Sequence, residues 1–341
     1  MGKKFFVSDC EGPISINDNA YELSGHFIED GEKFFKIVSK YDDLLADVLK
    51  RPGYNAGGTL KLIVPFLKAY GATNQNIINF STENVHLIPG AVETLNFVDS
   101  HMPSFIVSTS YNHYIMALCK RTEFPYVNTY STTLDIDFND INSIEQEKIK
   151  EIRKEIIENP EFEFLDKIFF NELPKLESGN LMEHVKPIGG EGKKEAVLDI
   201  ISRFKLKAND LFYIGDSITD VQPLRFAKDN NGIAVSFNGN EYAIKEADIA
   251  IMADNTTITS VLADIFNRYG TDYVFEFVIS YSDDPSAALK SKFVNQSIAS
   301  KLLAINMPKV EIITCKNMDD IIEKSSLFRK KLRGESIGGL G

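Results

Sequence analysis

Two carboxylates, Asp9 and Glu11, follow the short apolar run Phe5–Ser8. A second run, "FIVSTS", ends on the hydroxyls of Ser108, Thr109 and Ser110. A third, "LFYIG", is followed at once by Asp216, with Asp220 four positions later. Lys193 and Lys194 open a helix-patterned stretch just before it. Carboxylate oxygens are hard ligands and suit Mg²⁺. The ion and a lysine ammonium would balance the charge of an incoming phosphate. A hydroxyl and main-chain N–H groups would hold its non-bridging oxygens. One carboxylate can attack phosphorus. A second, protonated, can give its proton to the leaving alkoxide and later take one from water. The inventory is that of phosphoryl transfer, with Asp9 as nucleophile and Glu11 as acid/base.

Each residue also has a duller use. An acid after a strand commonly caps a turn. Asp220 could sit on a first helical turn, where the dipole favours it. Ser108–Ser110 could cap a helix, and Lys193–Lys194 could be a solvated pair. "GGEGKK" is not a phosphate-binding P-loop, because Pro187 stands where its first glycine belongs and Lys194 where Ser or Thr belongs. His26, His86, His101, His113 and His184 have no ligand spacing. The conjunction of four signals, in order, each at a strand end or a helix start, favours the chemical reading.

Those signals need a scaffold that brings strand ends together. Strand and helix patterns alternate along the chain, which predicts an α/β fold: a Rossmann-like parallel sheet with helices on both faces. Sites in such sheets lie outside the carboxyl ends of the strands. Phe5–Ser8, "SFIVSTS", "DLFYIG", "GIAVSF" and "ADIAIM" read as strands. "YVNTYSTTLDIDFND" reads as a hairpin or edge strand. Helical periods mark "EKFFKIVSKYDDLLADVLKR", "GGTLKLIVPFLKAYG" with Thr59 as N-cap, and a helix starting on Pro89. "SIEQEKIKEIRKEIIENP" carries a capping box from Ser143 to Gln146. The expected division is a core of 1–13 and 87–265 with an insert at about 126–188, a helical cap at 14–86, and a C-terminal α/β segment at 266–341. That segment would hold the strands "YVFEFVIS" and "KVEIIT" and end in a loose tail, "GESIGGLG".

A chain of 341 residues with 43% hydrophobic and 25% charged content can bury a sizeable core. Its net charge of −12 argues against nucleic acid and anionic membrane surfaces as partners. A small phosphorylated metabolite remains compatible, since one divalent cation reverses the local sign. No stretch approaches the ~20 apolar residues of a membrane span, and "MGKKFFVSDC" lacks a signal-peptide core. Cys10, Cys119 and Cys315 share no metal or disulfide spacing, which fits a reducing cytoplasm. The pattern does not set an oligomeric state.

The stretches "VSDCEGP", "IVSTS", "GKKEAVLDII" and "FYIGDSITD" resemble, in order, the four motifs of the haloacid dehalogenase (HAD) superfamily, in particular its phosphoserine-phosphatase-like branch. The resemblance covers roughly Lys3–Ile251. It implies a Mg²⁺-dependent phosphatase working through an aspartyl-phosphate on a small phosphorylated metabolite. It makes Asp9 the nucleophile and a metal ligand. The main-chain carbonyl of Glu11 and the carboxylate of Asp216 would be further ligands, with Asp220 acting through water or as support. Ser108, with Thr109 beside it, and Lys193 would bind phosphate, Lys194 being the fallback. Asp18 matches a substrate-facing acid. Two departures stand out. Glu11 occupies a position where the family usually has Asp, and one more methylene moves the acid by about a bond length. Near Ile63 an apolar position replaces the arginine that binds the carboxylate of phosphoserine, so phosphoserine is not the expected substrate. The alternatives are a weakly catalytic or non-catalytic subunit of a larger complex, and a phosphotransferase using the same intermediate.

Overall fold

The computed structural model describes residues 3–339. Seven strands form one sheet: β1 (Phe5–Ser8), β2 (Ser104–Tyr111), β3 (Thr129–Thr132), β4 (Leu211–Gly215), β5 (Ile233–Phe237), β6 (Ile249–Met252) and β7 (Lys309–Ile312). Their order is β3-β2-β1-β4-β5-β6-β7. All neighbours are parallel except β6 and β7. The chain therefore winds outward from β1 in both directions, and β1 with its neighbours β2 and β4 marks the switch point of the sheet. The register pairs Ser8 with Ile106 on one side and with Ile214 on the other. The residues that follow β1 and β4 thus emerge side by side.

The inner strands β1, β4, β5 and β6 are buried on both faces, as crossovers demand. One face packs Phe6, Phe212, Val235 and Ile251 against helices Ala91–His101 and Thr257–Tyr269. The other packs Phe5, Val7 and Tyr213 against Val197 and Ile200. Over the carboxyl edge lies a helical layer with its own apolar cluster. It contains α1 (Asn19–Phe27) and α2 (Gly31–Asp43), and it draws equally on residues 134–185. Tyr41 of α2 stacks on Phe169 with ring centroids 5.6 Å apart. α3 (Glu191–Phe204) packs on the Val7 face of the sheet and α4 (Thr271–Asp283) on the Phe6 face, while α5 (Met318–Gly338) packs through Ile321 against Ile244 and Ala250.

Several sequence expectations are corrected. "YVFEFVIS" is not a strand but most of α4, whose buried residues Val274, Phe277, Val278 and Tyr281 keep a helical spacing. The expected parallel core is present, and β7 of the C-terminal segment adds to its edge antiparallel to β6. The helix expected from Pro89 begins at Ala91, because Gly90 adopts a left-handed φ of 82°. Asn142, one residue before the expected Ser143, caps its helix by accepting the Glu145 N–H at 2.9 Å. Thr59 is not a cap: its N–H donates to Asp42 of α2 at 2.9 Å. The supposed loose tail continues α5 as far as Gly338 past a non-helical Gly334. The last two tail residues, like the first two of the chain, lie outside the described residues. No described helix is long and apolar enough to cross a membrane.

Candidate active site

Asp9 extends the β1 ladder by one residue, donating its N–H to the Ile214 carbonyl at 2.9 Å. The chain then reverses sharply. Ile14 and Ser15 both donate to the Cys10 carbonyl at 3.0 Å, and Gly12 holds a φ of 105°. A Cβ on Gly12 would lie 2.2 Å from the Asp216 Cγ, so only glycine lets this turn rest against the carboxylate. Asp9 Oδ1 accepts the Cys10 N–H at 2.6 Å, and Oδ2 lies 2.6 Å from the Lys193 Nζ.

Beyond β4 the chain makes a second tight turn. Asp220 closes it, with Oδ2 accepting the N–H groups of Asp216 and Ser217 at 3.1 and 3.2 Å. Its Oδ1 accepts from the Lys193 Nζ at 2.8 Å and from the Tyr213 hydroxyl at 2.7 Å. Lys193, on the first turn of α3, is fully buried and bridges the two strand ends. Lys194 points elsewhere and pairs with Glu191 at 2.7 Å. Of the two candidate lysines, only Lys193 reaches the cluster.

Glu11 and Asp18 meet at the start of α1. Glu11 Oε1 accepts the Asn19 N–H at 2.8 Å, and Asp18 caps the helix by accepting the Tyr21 N–H at 3.0 Å. The helix dipole favours both charges there. Ser108 Oγ lies 3.0 Å from Ser110 Oγ and accepts the Ser110 N–H at 3.2 Å. Thr109 Oγ1 is buried with no partner among the described residues. A cavity of about 100 Å³ separates these groups from the helical layer, and Asp9, Glu11, Asp18, Ser108, Thr109 and Asp216 all line it. Six of the expected site residues thus line one cavity, and Lys193 and Asp220 lie behind it, in contact with Asp9 and the Asp216 N–H.

The electrostatics follow from burial. Desolvation, then the Asp220 charge, push the Asp9 carboxyl up to about 8 in the cation-free cluster, against the opposing pull of Lys193. Burial, then the nearby Asp18 charge, raise Glu11 well above the usual carboxyl range, with the Asn19 N–H and Arg333 opposing. Burial works against ionisation of Asp220 too, but Lys193 and the Tyr213 hydroxyl outweigh it and hold that carboxyl low. Lys193 is kept charged: burial lowers its pKa, and Asp220 and Asp9 together overcome this.

Sequence reasoning missed three residues here. Arg329 and Arg333 of α5 both donate through Nη1 to Asp216 Oδ2, Arg333 at 3.1 Å. Their side chains are 3% and 5% exposed. The visible signal was the pair of arginines four apart in "FRKKLR", which would share a helical face. Tyr213, inside β4, was also missed.

A divalent cation fits these residues. Asp9, Asp216 and Asp220 each present a carboxylate oxygen within 4.8 Å of the others, and all three are buried. Both guanidinium contacts go to Asp216 Oδ2, leaving Oδ1 clear of them. Five carboxyl groups (Asp9, Glu11, Asp18, Asp216, Asp220) face three cations (Lys193, Arg329, Arg333), an excess of acidic over basic groups. An oxygen-only donor set with that excess suits Mg²⁺.

No protein-family model matches the sequence, and no curated protein does. Among solved structures, a gene product of Archaeoglobus fulgidus is similar over 99% of both chains, with 26% identity and a TM-score of 0.85. That match is long enough to include α5. A substrate-bound phosphoserine phosphatase is similar over 75% of this chain and 95% of its own, with 13% identity and a TM-score of 0.51. The chain shares the α/β fold of these proteins.

Proposed function

We propose that this protein is a phosphoric monoester hydrolase of the HAD type, with Mg²⁺ as cofactor and a small phosphorylated metabolite as substrate. One observation carries the reading: Lys193 bridges Asp9 and Asp220 beside Asp216, beneath a cavity bounded by Ser108 and Thr109. The oxygens that would hold the ion are those of Asp9, Asp216 and the Glu11 main chain, with Asp220 in support. When bound, it supplies the positive charge that draws a phosphate into an acidic cavity.

In this reading Asp9 attacks phosphorus and becomes an aspartyl-phosphate. Lys193 holds Asp9 in place and meets the charge of the phosphoryl group. Ser108 and the unpartnered Thr109 hydroxyl donate to its oxygens. Glu11, kept protonated by burial, gives its proton to the leaving alkoxide and then accepts one from the water that releases phosphate. Residues 1–13 and 87–265 form the catalytic core, 14–86 the selecting cap, and 266–341 an added segment. Ile63 is sealed in the apolar cluster and Arg51 pairs with Asp166, so the cap offers no arginine to a substrate carboxylate. This favours a substrate other than phosphoserine. The free cysteines, two of them buried, suit a reducing cytoplasm.

The test is phosphate release from 4-nitrophenyl phosphate and from a panel of phosphorylated metabolites, with and without Mg²⁺. Turnover should need Mg²⁺ and vanish in Asp9→Asn. Equal turnover in that variant would sink the assignment.

A further inference from the structure

The arginines of α5 lie outside the stretch that resembles the HAD motifs, yet they end at its acidic centre. A buried guanidinium is costly unless paired. Arg329 answers this with Asp216 Oδ2, backed by longer approaches to the main-chain oxygens of Asp216 and Asn238 at 3.4 and 3.5 Å. Arg333 adds a second bond to Asp216 Oδ2. It also donates from Nε to the Ile16 carbonyl at 3.0 Å and from Nη2 to that of Asn17. Neither arginine bonds Asp9 or Asp220. Both act on one carboxylate of the cluster, at one of its oxygens.

We propose that Arg329 and Arg333 are positioning residues of the site. They keep Asp216 assembled beside Asp9 and Asp220 when no cation is present, and they set how tightly the cluster takes one. This rests on the reading of the cluster as a divalent-cation site. The physics runs in two directions at once. Positive charge a few ångströms from an incoming cation repels it, and an ion-paired carboxylate is a poorer ligand. Without the arginines, however, three buried carboxylates share a single ammonium, and the cation-free protein loses stability. The two residues therefore exchange cation affinity for stability of the empty site.

The full chain is titrated with Mn²⁺ and with Mg²⁺, by electron paramagnetic resonance and calorimetry, as wild type, Arg329→Met, Arg333→Met and the two Lys variants. Melting is followed in EDTA and in saturating Mg²⁺. Each Met variant should bind Mn²⁺ at least about tenfold more tightly than wild type. It should melt lower in EDTA and gain more from Mg²⁺. The Lys variants, which keep a charge but lose the fork, should fall between. They serve as the test should a Met variant not fold. Equal or weaker affinity in folded variants, or unchanged melting in EDTA, overturns the proposal and leaves the metal reading standing. Absence of binding in wild type and all variants overturns both.

Discussion

The Lys193 ammonium lies 2.6 Å from Asp9 and 2.8 Å from Asp220; Lys193 and Asp220 are fully buried, and only Asp9 of the three faces the cavity. Among the described residues it is the one lysine joining the ends of β1 and β4 at this depth. Lys193→Met should cost about 3–5 kcal/mol of stability, because it leaves two buried carboxylates facing each other. Urea denaturation measures this, and Mg²⁺ should restore part of the loss. Phosphate release should fall by at least about a hundredfold.

Glu11 is fastened to the Asn19 N–H rather than swinging free. Its carboxyl is therefore placed, despite the extra methylene. Glu11→Gln keeps the size and removes the proton. Turnover of alkyl phosphates, whose leaving alkoxide needs that proton, should fall by about 10²–10⁴-fold. Turnover of 4-nitrophenyl phosphate in its first step should fall far less, since its leaving group is stable as an anion. Equal losses on both substrates in single-turnover measurements would rule out the acid role.

Gly12 and Gly71 both have left-handed φ values, 105° and 82°. Space differs: a Cβ at Gly12 meets the Asp216 carboxylate at 2.2 Å, and one at Gly71 meets nothing within 4 Å. Gly71→Ala should cost about 1–2 kcal/mol of backbone strain and leave phosphate release unchanged. Gly12→Ala should cost more and abolish release, because the turn must leave Asp216. Matched activities in the two variants would count against the tight fit.

Asp43, at the end of α2, is half-buried and has no hydrogen-bond partner among the described residues. Burial, then the neighbouring charges of Asp42 and Asp47, raise its carboxyl to about 7. A carboxyl raised on folding binds its proton more tightly in the native state. Its contribution is thus fully present below the unfolded value near 3.8 and is lost as pH rises through about 7. Asp43→Asn should flatten that slope, stabilising the protein at pH 8 by on the order of 1 kcal/mol or more, with little gain at pH 4. Chemical denaturation at the two pH values decides it.

Much of the central sheet was legible because its strands are short apolar runs bounded by turn residues, and because the chemistry follows those runs directly. Asp9 and Asp216 were visible for that reason. α4 was not, since Val274, Phe275, Phe277, Val278 and Ile279 crowd together and β-forming residue types mask the helical spacing of the buried ones. The start at Ala91 was missed because Pro89 favours a helix's first position, whereas the left-handed Gly90 delays it. Arg329 and Arg333 were the largest omission. Their spacing is plain, but a basic helical run is usually solvated. The packing of α5, with Ile321 against Ile244 and Ala250 and Ser325 donating to the Gly239 carbonyl at 2.7 Å, turns that face inward.

Arg329 follows Asp216 by 113 residues and Arg333 follows Ile16 by 317. At ribosomal speeds the first gap alone is on the order of ten seconds. All seven strands are made before α5, so the carboxylates of the cluster and Lys193 precede both arginines along the chain. The two arginines are therefore the last charges added to the site, and Asp216 meets them only once α5 has been made.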